Sequence, residues 1–374
     1  MKAQSWEWLN VDAVDMIYLV ACAVNGVAPE AELVAEMDLD AVYQLARRHM
    51  LAATVAPALE AAGTNDERFS KALRHSALKN ATMDAEMDVL FAELDAAGIW
   101  HMPLKGVVLQ HLYPSYGMRQ MSDHDILFDA ERADDVRAIM EELGFTTEKF
   151  AKGCHDVYHK KPVCNFEMHR ALFGPASDES VREYYQNVRD RLLGDGYEKR
   201  LGPEDFYLYV TAHEHKHYVG GGTGLRSLLD TYVYLRSTEL DMGYVATEAQ
   251  KMGLAGFEEA NRTLAQHLFS GRELTEADEE MLGYVMSSGV YGTTLHRVEN
   301  AMARSGHGRL RYVISRFLVP VSKKDKNYEV MAGVYPFFYE HKWLLPLLPF
   351  YRTLRGIKNG KLKAEARAVR DAKR

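Results

Sequence analysis

The spacing of apolar residues changes character at Gly98 and changes back near Glu204, and this double switch constrains the fold more than any other feature of the sequence. From about residue 5 to 97 apolar side chains recur at intervals of three and four. They are Val42, Leu45, Met50, Val55 and Leu59 in one stretch, and Leu73, Leu78, Met83, Met87, Leu90 and Leu94 in the next. Such intervals return to one side of an α-helix. Ala96-Ala97-Gly98 then places a glycine where a helix C-terminal cap belongs. After Gly98 short runs alternate: a strand over Ile99–Leu104, a helix over Val107–Tyr113, a strand over Met121–Phe128 and a helix over Glu131–Leu143 ending at Gly144. Strands at Phe145–Lys149, Asp156–Lys160 and Val163–His169 follow. From Glu204 helical spacing returns through Tyr209, His213, Tyr218 and Leu225 to Leu235, with glycines at 220–222 and 224 reading as a flexible break. The pattern predicts an α+β chain: helical residues 1–97, a small α/β core at 98–173, a helical region at 174–350 and a basic tail at 351–374. That tail carries nine basic residues between Arg352 and Arg374 against Glu365 and Asp371, and reads as a solvated or frayed helix.

Charge and cysteine content narrow the class. A net charge of -8 over 374 residues argues against a general nucleic-acid coat protein, although a local basic site remains compatible with it. Cys22, Cys154 and Cys164 are too few and too scattered for a disulfide framework or a four-thiolate zinc site, so a reducing cytoplasm is the expected setting. The apolar stretch near the start is interrupted by Asp12 and Asp15, unlike a secretory signal. No segment reaches the roughly 20 apolar residues needed to span a bilayer. The most apolar late piece, from Trp343 to Phe350, is broken by two prolines. A soluble protein without a membrane partner is expected. No P-loop, dinucleotide fingerprint or nucleophile elbow is present.

The chemistry concentrates in Leu104-Lys105-Gly106, Tyr116-Gly117-Met118-Arg119 and Ser122-Asp123-His124-Asp125-Ile126-Leu127. Strand side chains alternate faces, so Asp123 and Asp125 project together while His124 points the other way, toward packing or the surface. Two carboxylates on one side repel unless a cation sits between them. Mg²⁺, or Mn²⁺, answers that need with oxygen ligands. Glu167, between Phe166 and Met168 on another predicted strand, supplies a third acid if the two strands are neighbours. Three such acids suit two ions about 3.5–4 Å apart on a phosphorylated substrate.

These residues resemble the uncharacterised bacterial nucleotidyltransferase family of the polymerase-β-like superfamily. The likeness lies in Leu104-Lys105-Gly106, an apolar helix ending at Tyr113-Pro114, Gly117-x-Arg119 and Asp123-x-Asp125-Ile126-Leu127. It continues in Glu167-Met168-His169, in His213–His217 and in Asp230, and covers roughly residues 40–355. The resemblance implies a small mixed sheet with helices on one face, a metal-binding pair in Asp123 and Asp125, and Glu167 as third carboxylate. Lys105-Gly106 stands where superfamily members usually carry Gly-Ser to bind nucleotide phosphates. The implied reaction moves NMP from an NTP, with ATP the expected donor, to an unidentified acceptor. Lys105, Gly106 and Arg119 are the candidate triphosphate contacts, Arg119 having a structural ion pair as its alternative. A catalytically inactive nucleotide- or partner-binding protein of the same fold is the other reading, and nucleic acid enters only as an acceptor.

His213-Glu214-x-x-His217 also matches the helical motif of zinc hydrolases, with two histidines one turn apart. The position of a third histidine in the extended motif is Thr223. Two alternatives stand beside zinc: histidines bonded within the fold, or His213, Lys216 and His217 contacting nucleotide or acceptor. Arg226 and Asp230, four apart, are expected to form a helix-surface ion pair.

Overall fold

A computed structural model describes residues 8–305, 308–325 and 327–372. The helix that carries the sheet runs from Glu67 to Ala96, started by Asp66, whose side chain accepts the Arg68 amide. Its buried positions step by four and three through Ser76, Asn80, Met83, Met87, Leu90 and Leu94, a stripe that faces one partner along its length. Leu78, predicted to lie on that stripe, is instead 69% exposed. Ser76 and Asn80 take the inward positions there, and Asn80 Nδ2 donates to the Arg119 carbonyl at 3.0 Å. Gly98, at φ +67°, ends the helix as the cap predicts. The Ile99 amide reaches back to the Leu94 carbonyl at 2.9 Å.

Five strands follow: β1 (His101–Pro103), β2 (His124–Phe128), β3 (Thr146–Lys149), β4 (His155–Lys160) and β5 (Cys164–His169). They form one sheet in the order β1-β2-β5-β4-β3. Only β2 and β5 run parallel, and the chain between them includes the Ala133–Glu142 helix, as a parallel crossover requires. Alternation sends Ile126, Phe128, Tyr158, Phe166 and Met168 into a core with Met83, Met87, Leu90, Leu94, Val136 and Met140. Leu127, from the opposite face, belongs to a second core with Tyr207, Tyr209 and Ala212 of the Pro203–Gly221 helix. The sheet is therefore covered on both sides, beyond the single helical layer implied by the resemblance. Strand β1 would be an open edge, but His101 donates its amide to Tyr197 and accepts from Lys199 at 2.9 and 2.7 Å.

The helical regions on either side of the sheet unit share a core. Met16, Leu19 and Val20 pack in one cluster with Leu228, Leu229, Leu264, Phe269, Leu282 and Val285. Each fully buried side chain of this size contributes about 1.5–3 kcal/mol, so the helices before and after the sheet stabilise each other. Leu39–Leu59 divides into helices Leu39–Arg48 and Ala52–Ala61, with Met50 at φ +54° in the break. The glycine run is a packed crossing. A Cβ on Gly222 would lie 2.1 Å from Ser288 Oγ, and one on Gly224 2.8 Å from the Val290 nitrogen. The basic tail is helical and largely exposed, as expected; its start falls inside the Leu348–Lys358 helix, and Ala368 and Ala372 anchor it on Val298 and Met302. Among the described residues no helix is long and apolar enough to cross a membrane.

Candidate functional site

Where β1 ends, the Leu104 amide donates to the Asp125 carbonyl at 2.9 Å, tying the Lys105-Gly106 turn to β2. Lys105 adopts φ +47°, ψ -117°, which costs a side-chain-bearing residue about 1–3 kcal/mol and is tolerated where surroundings over-determine it. Gly106 has no room for a side chain, since a Cβ would lie 2.3 Å from Arg119 Nη1 and 2.8 Å from Met121 Cε. The strained backbone aims the Lys105 ammonium at Asp125, with Nζ donating to Oδ1 at 2.8 Å.

Parallel pairing of β2 with β5 sets Asp125 directly opposite Glu167. Asp123 precedes β2 by one residue, in a loop held by Lys79, whose Nζ donates to the Met121 and Ser122 carbonyls at 2.9 and 3.0 Å. Burial, then the negative charges of Asp125 and Glu167, push the Asp123 carboxyl up to about 6, against the opposing charges of Lys105 and Arg226. Burial acts the same way on Asp125, but Lys105 and His169 override it and hold that carboxyl well below the usual range. His124 points to the far side as alternation predicts, hydrogen-bonded at 2.8 Å to Asp84 and stacked on Phe166.

Two histidines join the acids. His169 Nε2 lies 2.7 Å from Asp125 Oδ1 and 3.7 Å from Glu167 Oε2, and His155 Nε2 lies 3.6 Å from that Glu167 oxygen. Ligand atoms of His155, Glu167 and His169 all fall within 4.8 Å of one another. The donor set of carboxylate oxygens and imidazole nitrogens suits a divalent cation, and the imidazoles widen the choice from Mg²⁺ toward Mn²⁺ or Zn²⁺. The same alternation that pairs Asp123 with Asp125 sets His169 on the face of Glu167. His155 enters only through the β4–β5 register, where it faces His169. Neither histidine is singled out as a ligand by the sequence, and nor is Lys79.

Arg119 stands behind the turn. Its Nε and Nη2 each donate to an Asp230 carboxylate oxygen at 2.8 Å, and Tyr113 Oη donates to the same carboxylate at 2.7 Å. All three side chains are buried. The two strong fork contacts of Arg119 are thus taken by an acid, the structural alternative to phosphate contact. The expected Arg226–Asp230 surface pair gives way to this one, and Arg226 Nη1 donates to the Gln120 carbonyl at 2.9 Å.

On the Pro203–Gly221 helix, Tyr209, His213, Lys216 and His217 lie at helical spacing. Tyr209 is buried, and its hydroxyl has no hydrogen-bond partner among the described residues. Burial, then the charges of Asp125, Cys154 and Glu167, push that hydroxyl well above its ordinary value. Burial lowers His213, Lys216 and His217, and each also feels the charges of Lys105 and Asp125. Tyr209 shares a core with Leu127, which lies two residues from Asp125 and so on the same face of β2, and the helix therefore packs on the carboxylate-bearing face of the sheet. His213 and His217 approach through their Nε2 atoms at 3.2 Å. Among the described residues no third His, Cys, Asp or Glu ligand atom closes on this pair. Glu214 is buried and accepts from Thr231 Oγ1 and Asn261 Nδ2 at 3.3 and 3.1 Å, away from the pair. A zinc hydrolase needs both a third ligand and an acid reaching the metal-bound water.

No curated protein and no solved structure matches this sequence. The family model described as an uncharacterised nucleotidyltransferase matches residues 35–270. That span holds the whole sheet, the Lys105-Gly106 turn, the acids and the histidine-bearing helix, and it stops well before residue 355, where the resemblance read from the sequence ends. On this match over more than half its length, the chain belongs to the uncharacterised nucleotidyltransferase family.

Proposed function

We propose that the protein transfers NMP from an NTP, with ATP the expected donor, to an acceptor hydroxyl. Asp123, Asp125 and Glu167 would hold Mg²⁺ or Mn²⁺. The acceptor oxygen attacks the α-phosphorus, the bond to the bridging oxygen breaks, and pyrophosphate leaves. The carrying observation is the in-register pairing of Asp125 with Glu167 beside an Asp123 carboxyl pushed up to about 6. Such crowding of negative charge fits a cation site. A divalent cation there would supply charge screening of the triphosphate and Lewis-acid polarisation of a phosphoryl oxygen.

The remaining roles belong to the chain. Lys105, paired with Asp125, would offer its ammonium to the phosphates, and the Gly106 backbone would let them approach closely. Glu167 receives the acceptor proton. His213, Lys216 and His217 wall the acceptor side, and burial lowers Lys216 from its ordinary value, so its ammonium gives up a proton more readily. Arg119, locked to Asp230, has a structural role and makes no phosphate contact.

A second reading, a nucleotide-binding protein without turnover, draws on one observation: Asp125 Oδ1 already has both Lys105 and His169 as partners. Pyrophosphate release from ATP and CTP, with and without Mg²⁺ or Mn²⁺, separates the two. Asp125→Asn should lower turnover by more than about 100-fold, because even outer partners of a metal site contribute 10–100-fold. Wild-type-like turnover in that variant would sink the chemistry, and metal-dependent binding without pyrophosphate selects the second reading.

A further inference from the structure

The last part of the chain has a chemistry of its own. Residues 309–374 contain sixteen Lys and Arg against five Asp and Glu, a net +11 in a chain whose total is -8, so residues 1–308 carry -19. The same segment exposes large apolar side chains in ordered stripes. Leu310, Val313, Ile314, Phe317 and Leu318 follow the spacing of a helix face on and just beyond the Arg309–Ser315 helix, and all five are exposed, Leu310 by 74%. Phe350, Leu354 and Ile357 repeat the pattern on the Leu348–Lys358 helix, beside exposed Leu347 and a Trp343 that is 76% exposed. The two helices are joined where Arg352 Nη1 donates to the Arg316 carbonyl at 3.1 Å. Between them lies a groove of about 750 Å³ lined by Val313, Phe317, Val334, Arg316, Arg352 and Arg355.

Exposed apolar stripes of this extent mark an interaction surface, and their basic setting selects the partner. We propose that residues 309–363 form a peripheral docking surface for an anionic lipid bilayer, the aliphatic stripes entering the headgroup–acyl boundary and the Lys and Arg side chains meeting lipid phosphates. Basic amphipathic helices with aromatic anchors bind in this way without spanning the bilayer, and a tryptophan such as Trp343 suits the interface. A single-stranded nucleic acid would match the charge, but it stacks on aromatic rings. Most of this surface is aliphatic, at Leu310, Val313, Ile314, Leu318, Leu347, Leu354 and Ile357. A second copy meeting this one face to face would set +11 against +11.

The test is co-sedimentation of the full chain with phosphatidylcholine vesicles, with and without phosphatidylglycerol. Binding to the mixed vesicles, weak binding to phosphatidylcholine alone and loss in high salt are expected. The variant Arg355→Glu/Lys358→Glu/Lys361→Glu should weaken binding by about 100-fold or more. The variant Phe350→Ser/Leu354→Ser/Ile357→Ser should weaken it by about tenfold or more. All six positions are exposed and none lines the carboxylate site, so nucleotide binding and circular dichroism should stay unchanged in both. Failure to pellet with anionic vesicles at low salt overturns the proposal, as does wild-type binding in either variant. Two further results overturn it: tight RNA binding insensitive to the serine changes, or a dimer in light scattering that the serine changes dissolve without any vesicle binding.

Discussion

Replacing Asp230 by alanine should be among the most damaging single changes outside the candidate carboxylate site. Asp230 is 5% exposed and accepts from Arg119 twice and from Tyr113 once, and both of those partners are buried too. Removing it strands a guanidinium in the interior, which costs about 3–5 kcal/mol. The Tyr113 hydroxyl loses its acceptor as well, at about 1–3 kcal/mol, part of which overlaps with the first figure. Taking about 4 kcal/mol as the sum, and an unfolding entropy of about 2.1 cal/mol/K per residue over 374 residues, the melting temperature should fall by about 5 °C. The double variant Arg119→Met/Asp230→Leu leaves no charge unpaired and should cost about 2 kcal/mol less than the sum of the single changes. Urea unfolding of the four proteins measures this coupling. A cost below about 1 kcal/mol for Asp230→Ala, or strict additivity in the double variant, would refute the account. Titration with ATP adds a second arm. The double variant should keep its nucleotide affinity, and loss of binding with an intact fold would return Arg119 to the phosphates.

Two further expectations follow from the same geometry. Gly106→Ala places a methyl group 2.3 Å from Arg119 Nη1 and should destabilise the protein by about 1–3 kcal/mol, with weakened ATP binding; an unchanged melt and affinity would mean that the turn adapts freely. Asp123 binds its proton up to about pH 6 when folded, against an ordinary value of 3.8, so between these values the folded state holds a proton that the unfolded chain releases. Stability therefore falls as pH rises through that window, by at most about 2 kcal/mol after solvent screening, and the cost persists above it. In chelator, Asp123→Asn should remove this slope from the pH dependence of melting, and at pH 7 added Mn²⁺ or Mg²⁺ should restore wild-type stability. Parallel pH curves for the two proteins would contradict the assignment.

Local chemistry made much of the fold legible in the sequence. Short strand-like runs bounded by helices and glycines marked all five strands to within three residues. The three-and-four spacing and Gly98 marked the long helix and its end. The D-x-D spacing put Asp123 and Asp125 forward as a pair without knowledge of any partner strand. Tertiary structure alone decided which strand lay beside β2, and so whether Glu167 met Asp125 at all. It also brought His155 to Glu167 through the β4 register and assigned Asp230 to Arg119, 111 residues away, in place of Arg226 on the same helix. Leu78 shows the limit of periodicity, which finds a stripe but not the neighbour it faces. A residue's own backbone fixes where its side chain can point, whereas what waits there depends on strand order and helix packing, set by the chain as a whole.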